Sequence, residues 1–285
     1  MRTLMHIKFI ILLTVAFCMT QQESIAAGPE NFQTDQLVAW CIVPFDANKR
    51  GPAARAEMVK ELGLARVAYD WRQEHIAQFE EEVQQYQKHG IEFFAFWSWH
   101  DSLEPLIENY DIHPQIWMML AEPAAATQDE KVKKAANQLL PLALKTQKLG
   151  CKLGLYNHGG WAGDPGNMVA VCQYLRKEHN FDHVGIVYNF HHGHEHIEDF
   201  AAAFKKMQPY LLCLNLNGMA DPKTVQGNKN KIIPIGDGKH EAAMIQTVID
   251  SDYTGPIGIL DHRSELDSKE SLRLNINGLK KVLEQ

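Results

Sequence analysis

Three kinds of side chain in this sequence carry chemistry at close spacing. His191, His192, His194 and His196 fall within one short stretch, and His158 stands before Gly159 and Gly160. Each imidazole can exchange a proton near neutral pH. The cluster also suits a borderline metal such as zinc, although short His-rich tracts form solvated loops as well. Asn157, Asn189, Asn215 and Asn217 offer uncharged amides, fit to bind hydroxyls or a developing oxyanion, with an internal hydrogen-bond network as the plainer use. Trp97, Trp99 and Trp161 present flat faces that either stack on a sugar ring or simply fill a core. Glu122, Asp237 and Asp261 complete the titratable candidates, whereas Glu80, Glu81 and Glu82 read as a charged helix face.

Most of these residues stand at the ends of apolar runs. Eight such runs recur almost regularly, at 37–43, 64–69, 91–99, 115–120, 151–157, 184–190, 210–217 and 256–261. Between them lie segments with helical periodicity, among them 73–89, 129–149, 197–207 and 241–249. Strands alternating with helices imply a parallel sheet, and the repeat length matches the roughly 30 residues of one βαβ unit. The spacing predicts an α/β chain folded as a single (β/α)8 TIM barrel over residues 28–285. An open doubly wound sheet is the competing fold, but no Gly-x-Gly-x-x-Gly follows the first run. In a barrel the reactive groups gather at the carboxyl ends of the strands, which brings the polar run-ends to one rim.

Composition narrows the partners. The 28 Lys and Arg are outnumbered by 35 Asp and Glu, a net charge of −7, so a surface that binds phosphate backbones is not expected and nucleic acid is excluded as a partner. Residues 1–27 read as a secretory signal: Arg2 and Lys8 lead, an apolar stretch too short to span a membrane follows, and Ala26 and Ala27 suit cleavage. The mature protein is therefore expected to be exported, periplasmic or secreted. Cys41, Cys151, Cys172 and Cys213 form no Cys-x-x-Cys pair and read as buried thiols. Oligomeric state is not legible in the sequence.

The stretches 154–161, 184–194, 214–219, 235–238 and 255–262, which include Asn157-His158-Gly159-Gly160-Trp161 and Asn189-Phe190-His191-His192-Gly193-His194, carry a family resemblance. From residue 37 onward the chain resembles the xylose isomerase-like barrels grouped as sugar phosphate isomerases/epimerases, a superfamily that includes apurinic endonucleases. The first half resembles them in rhythm only. The resemblance implies a barrel enzyme that isomerises or epimerises sugars by removing a proton beside a carbonyl. It also implies a divalent metal, held by a carboxylate after the fifth strand, an Asp after the sixth, a His on the seventh and a Glu after the eighth. At those places this chain has Tyr156, Asn157 and His158, then Asn189, then Asn215, then Leu260 followed by Asp261. That last carboxylate is displaced by one residue, onto the other side of its strand. A divalent metal centre is thus either absent or rebuilt.

The site expected from these residues has His158, His192 and Asp261 as catalytic groups. Asn157, Asn189, His191, Asn215, Asn217, Trp97 and Trp161 are expected to hold a small carbohydrate. Arg263 is the only basic residue among the run-ends, so an unphosphorylated sugar or keto-sugar is the expected substrate. Two alternatives stay open: β-elimination of a 3-keto glycoside by the same base, as in similar exported barrels, and a barrel that binds carbohydrate without catalysis.

Overall fold

The computed structural model describes residues 28–225 and 231–285. The secretory signal expected in residues 1–27 lies outside the described residues. Eight parallel strands close into a barrel: β1 (Val38–Trp40), β2 (Arg66–Asp70), β3 (Glu92–Trp97), β4 (Gln115–Met118), β5 (Leu153–Tyr156), β6 (Val184–Asn189), β7 (Leu211–Leu216) and β10 (Ile257–Leu260). Each lies inside one of the eight apolar runs, apart from Asp70, which extends β2 one residue past its run. The surrounding helices are α1 (Pro52–Glu61), α2 (Phe79–His89), α3 (Leu103–Tyr110), α4 (Gln128–Lys148), the short α5 (Gly160–Gly163), α6 (Pro165–His179), α7 (Phe200–Met207), α8 (Glu241–Asp250) and α9 (Ser268–Leu283). The sequence thus folds as the single (β/α)8 TIM barrel that its spacing predicts.

Local chemistry sets where the helices begin and end. Thr127 caps α4 in a reciprocal capping box with Glu130, and Asp164 caps α6 by accepting the Asn167 N–H at 2.9 Å. The predicted helix 73–89 begins as a tighter 3-10 turn, Gln73–Gln78, where His75 Nδ1 accepts the Arg72 N–H at 2.9 Å.

Alternation along the strands divides the core in two. Leu153, Leu155, Ile186, Leu214, Leu216, Ile257 and Ile259 face the helices. Trp40, Trp117, Tyr156, Val187, Cys213 and Leu260 fill the barrel interior. Trp40 packs edge-on to Trp117 at 4.8 Å between ring centres, Trp97 meets Tyr156 at 4.5 Å, and Trp40 Nε1 donates to the Tyr156 hydroxyl at 3.2 Å. Burying a large apolar side chain is worth about 1.5–3 kcal/mol, so this aromatic plug anchors the barrel as well as closing it. All four described cysteines are buried and unpaired. Among the described residues no helix is long and apolar enough to cross a membrane.

One expectation is overturned outside the site. Glu80, Glu81 and Glu82 do not form a simple solvated face, because Glu82 is fully buried and pairs with Arg55 at 2.6 Å. A buried charge needs such a partner, and α1 supplies it across the α1/α2 contact. The long interval after β7 contains β8 (Gly218–Met219) and β9 (Ile232–Ile233), an antiparallel pair that ties down both ends of the excursion.

Candidate functional site

A cavity of about 770 Å³ opens at the carboxyl ends of the strands. His158 follows β5, and His191, His192 and His194 lie on two successive 3-10 turns after β6 (Phe190–His192 and His194–His196). His262 follows β10, and all five imidazoles line the cavity together with Phe45, Glu195, Lys231 and Arg263. His158 and His192 rings are 4.4 Å apart, His191 and His192 3.6 Å, and His191 and His262 5.5 Å. Gly159 and Gly160 take φ of 81° and 61°, left-handed values that let the chain turn sharply beside the exposed His158. His262 is itself left-handed, with φ 49°, and its ring packs on Phe45 at 3.9 Å.

Burial sets the charge of these rings. It pushes His192 down to about 3, with His158 adding to the effect, and pushes His191 well below the ordinary histidine range, with His192 next. Burial also lowers His194 and His262. At neutral pH these four are uncharged imidazoles, each able to donate one N–H and accept at the other nitrogen. Burial lowers Lys231 too, against the pull of Glu195.

Beneath the cavity lies a narrow chamber of about 70 Å³, which shares Phe45, His158, His191, His192 and His262 with the space above. Asp70, Arg72, Cys41, Trp97 and Tyr156 also line it. Asp70, the last residue of β2, accepts the Val43 N–H at 3.2 Å through Oδ1, while its buried Oδ2 has no protein partner. Burial pushes Asp70 up to about 8, opposed by Arg72, so its carboxyl exchanges a proton close to physiological pH. Asp70 and Arg72 were missed in the sequence because the second apolar run ends one residue earlier. The Asp70-Trp71-Arg72 triplet directly after it was the signal.

The structure brings together His158, His191, His192 and Trp97, and places Trp161 in a smaller side cavity beside them. The other expected residues are spent elsewhere. Asn157 Oδ1 accepts the Asn189 backbone N–H at 2.7 Å and its Nδ2 at 3.0 Å, and Asn215 Nδ2 donates to Asn189 Oδ1 at 2.9 Å. These amides satisfy one another as a buried ladder under the rim, and Gly258 makes room for it, since a Cβ there would collide with Asn215 Oδ1. Asn217 Nδ2 donates to Gly218 O at 2.8 Å, and Asn217 does not line the cavity. Asp261 is turned away from the mouth: Leu260 points inward, so the next side chain points outward, where it accepts from the Ser268 hydroxyl of α9. His262, two residues past the end of β10 and left-handed in backbone, is the residue from this strand end that lines the cavity; Asp261 does not. Glu122 pairs with Lys131 and Asp237 is exposed, both away from the cavity.

The carboxylate set that holds a divalent cation in similar barrels does not fit these residues. At the ends of β5 to β7 stand His158 and three amides that bond one another, and the β10 carboxylate is tied to Ser268. Among the described residues no three His, Cys, Asp or Glu side chains are arranged to hold a metal ion.

The outward carboxyl has its own signature. Burial pushes Asp261 up to about 7, opposed by hydroxyls of Ser268 and Ser271. An unfolded Asp ionises near 3.9, so between about pH 4 and 7 the folded protein holds the proton more tightly, and this group's contribution to stability falls as pH rises. In denaturant titrations at pH 4.5 and 7.5, Asp261→Asn should lose less stability between the two pH values than the parent. Equal losses would refute the assignment.

No curated protein sequence matches this chain. In fold it is similar to an IOLI protein with a bound zinc atom (TM-score 0.67, 13% identity, 87% of this chain and 97% of that one). A probable 3-DHS dehydratase, AsbF, from Bacillus anthracis is also similar (TM-score 0.62, 14%, 86% and 98%). So is the 3-keto-D-glucoside 4-epimerase YcjR from E. coli (TM-score 0.55, 14%, 86% and 97%). At such identities the likeness shows the fold alone. The family model described as xylose isomerase-like TIM barrel matches residues 50–282, so the chain belongs to that family.

Proposed function

We propose that this protein is an exported isomerase or epimerase-like enzyme that moves a proton beside the carbonyl of an unphosphorylated sugar or keto-sugar. The observation that carries this reading is the convergence of His158, His192 and Asp70 from β5, β6 and β2 on one cavity and the chamber below it. His158 takes the proton from the carbon next to the carbonyl, and the electrons of that C–H bond move onto the carbonyl oxygen. Neutral His192 suits the oxygen better than the carbon: pushed down to about 3, it is a poor proton acceptor but a good N–H donor to the developing oxyanion. Asp70, protonated at neutral pH, supplies a proton to that oxygen. Protonating the former carbonyl carbon while the hydroxyl on the first carbon gives up its proton to form the new carbonyl completes an isomerisation; protonating the first carbon on its opposite face while the enol hydroxyl gives its proton back to Asp70 completes an epimerisation.

Three basic side chains reach the site, where the sequence offered only Arg263. Arg263 pairs with Glu265 at 3.2 Å, Lys231 faces Glu195, and the Arg72 guanidinium, beside a protonated Asp70, donates to Trp71 O at 2.8 Å and lies over the Phe45 ring, so the three do not form the convergent cluster that a phosphate dianion requires. This favours a neutral substrate. An elimination that expels the glycosidic oxygen of a 3-keto glycoside is the second reading, favoured by Asp70, whose proton would serve the departing oxygen. Product mass separates the two, since isomerisation conserves it and elimination divides the substrate. Solvent-deuterium incorporation into aldoses, ketoses and 3-keto glycosides, with and without added divalent metal, tests the proposal. Exchange into at least one is expected, and its absence from all would leave a binding protein.

A further inference from the structure

The main cavity is not isolated. A second cavity of about 280 Å³ lies beside it, and the two share Gly159, His192 and Glu195. Its own wall includes Trp161, Asp164, Asn167 and His196. At roughly 30 Å³ per water, the side cavity holds several waters' worth of space, enough for one ring but not for a large ligand.

The wall is built rather than incidental. Trp161 Nε1 donates to Gln128 Oε1 at 2.8 Å, Gln128 Nε2 donates to Asn167 Oδ1 at 2.6 Å, and Asn167 Nδ2 donates to Trp161 O at 2.8 Å. This closed circuit from α4, α5 and α6 holds the indole in place before any ligand arrives, which lowers the cost of ordering it on binding. An aromatic ring next to carboxylate, amide and imidazole groups is the mixture that a sugar, with apolar faces and peripheral hydroxyls, requires.

We infer that the site takes a two-part substrate, a disaccharide or a glycoside with a ring-sized aglycone, and not a free monosaccharide. The reacting ring occupies the main cavity above Asp70, the second ring sits against Trp161, and His192 and Glu195 stand at the junction, beside the linkage between the rings. The inference rests on the carbohydrate reading above and narrows it.

Calorimetric titration of the whole protein tests it, with glucose, cellobiose, maltose, trehalose and phenyl glucoside, and with their 3-keto derivatives. At least one two-ring compound is expected to bind tenfold or more tightly than the matching monosaccharide. Trp161→Ala should bring that ratio close to one, and Trp161→Leu, which keeps apolar bulk against the helices, should do the same if the alanine variant folds poorly. Trp161→Phe should retain the ratio. A ratio near one in the parent protein, or a ratio that survives loss of the ring, would overturn the two-part site while leaving sugar binding intact. Binding of none of these compounds would instead overturn the carbohydrate reading, and this inference with it.

Discussion

Asp70→Asn is expected to slow solvent-deuterium exchange into the substrate by about 10²- to 10⁴-fold, the usual range for removing a positioned acid or base. The replacement has the same shape and stays uncharged, so the barrel should fold as before. The pH profile separates a chemical role from a packing one. In the parent, the carboxyl loses its proton as pH rises through about 8, and kcat/KM should fall along that limb because the protonated form is the donor. In Asp70→Asn the limb should vanish. A variant that keeps both the parent rate and the parent limb would remove Asp70 from the reaction.

His158→Ala should lose exchange by a similar factor, for a different reason: it deletes the group that accepts the carbon-bound proton. The side chain is exposed at the rim, so the change in folding stability should stay within about 0.5 kcal/mol. Added imidazole, small enough for the vacated space in a cavity of about 770 Å³, should restore part of the activity. A large fall in melting temperature, with no rescue, would show that the ring supports the fold and not the reaction.

The two residues differ in how legible they were. His158 was visible because it directly follows an apolar run and precedes two glycines, a pattern that places it at the rim of any parallel barrel. The eight strands were visible for the same reason, since apolar runs at a steady interval admit few other arrangements. Asp70 was hidden because the site draws on the β2 end, while the obvious polar run-ends belong to later strands. Lys231 was hidden because an excursion between β7 and β10 delivers it, and loop paths leave no periodic trace. The asparagines show the opposite failure. Their amides suit a ligand's hydroxyls, yet interior amides spaced to reach one another, as Asn215 and Asn189 are, need no ligand. Glu82 was misread because charge in a helix suggests solvent until the partner, here Arg55, is seen across a second helix.

The aromatic plug formed by Trp40, Trp117, Trp97 and Tyr156 has a consequence for traffic. Among the described residues it closes the barrel axis beneath the site, so ligands come and go on the rim side. Product and the next substrate therefore use the same rim-side cavity, so product inhibition is expected to be competitive. A polymer has no route along the barrel axis, so any chain that reaches the site must lie across the rim and not thread through it.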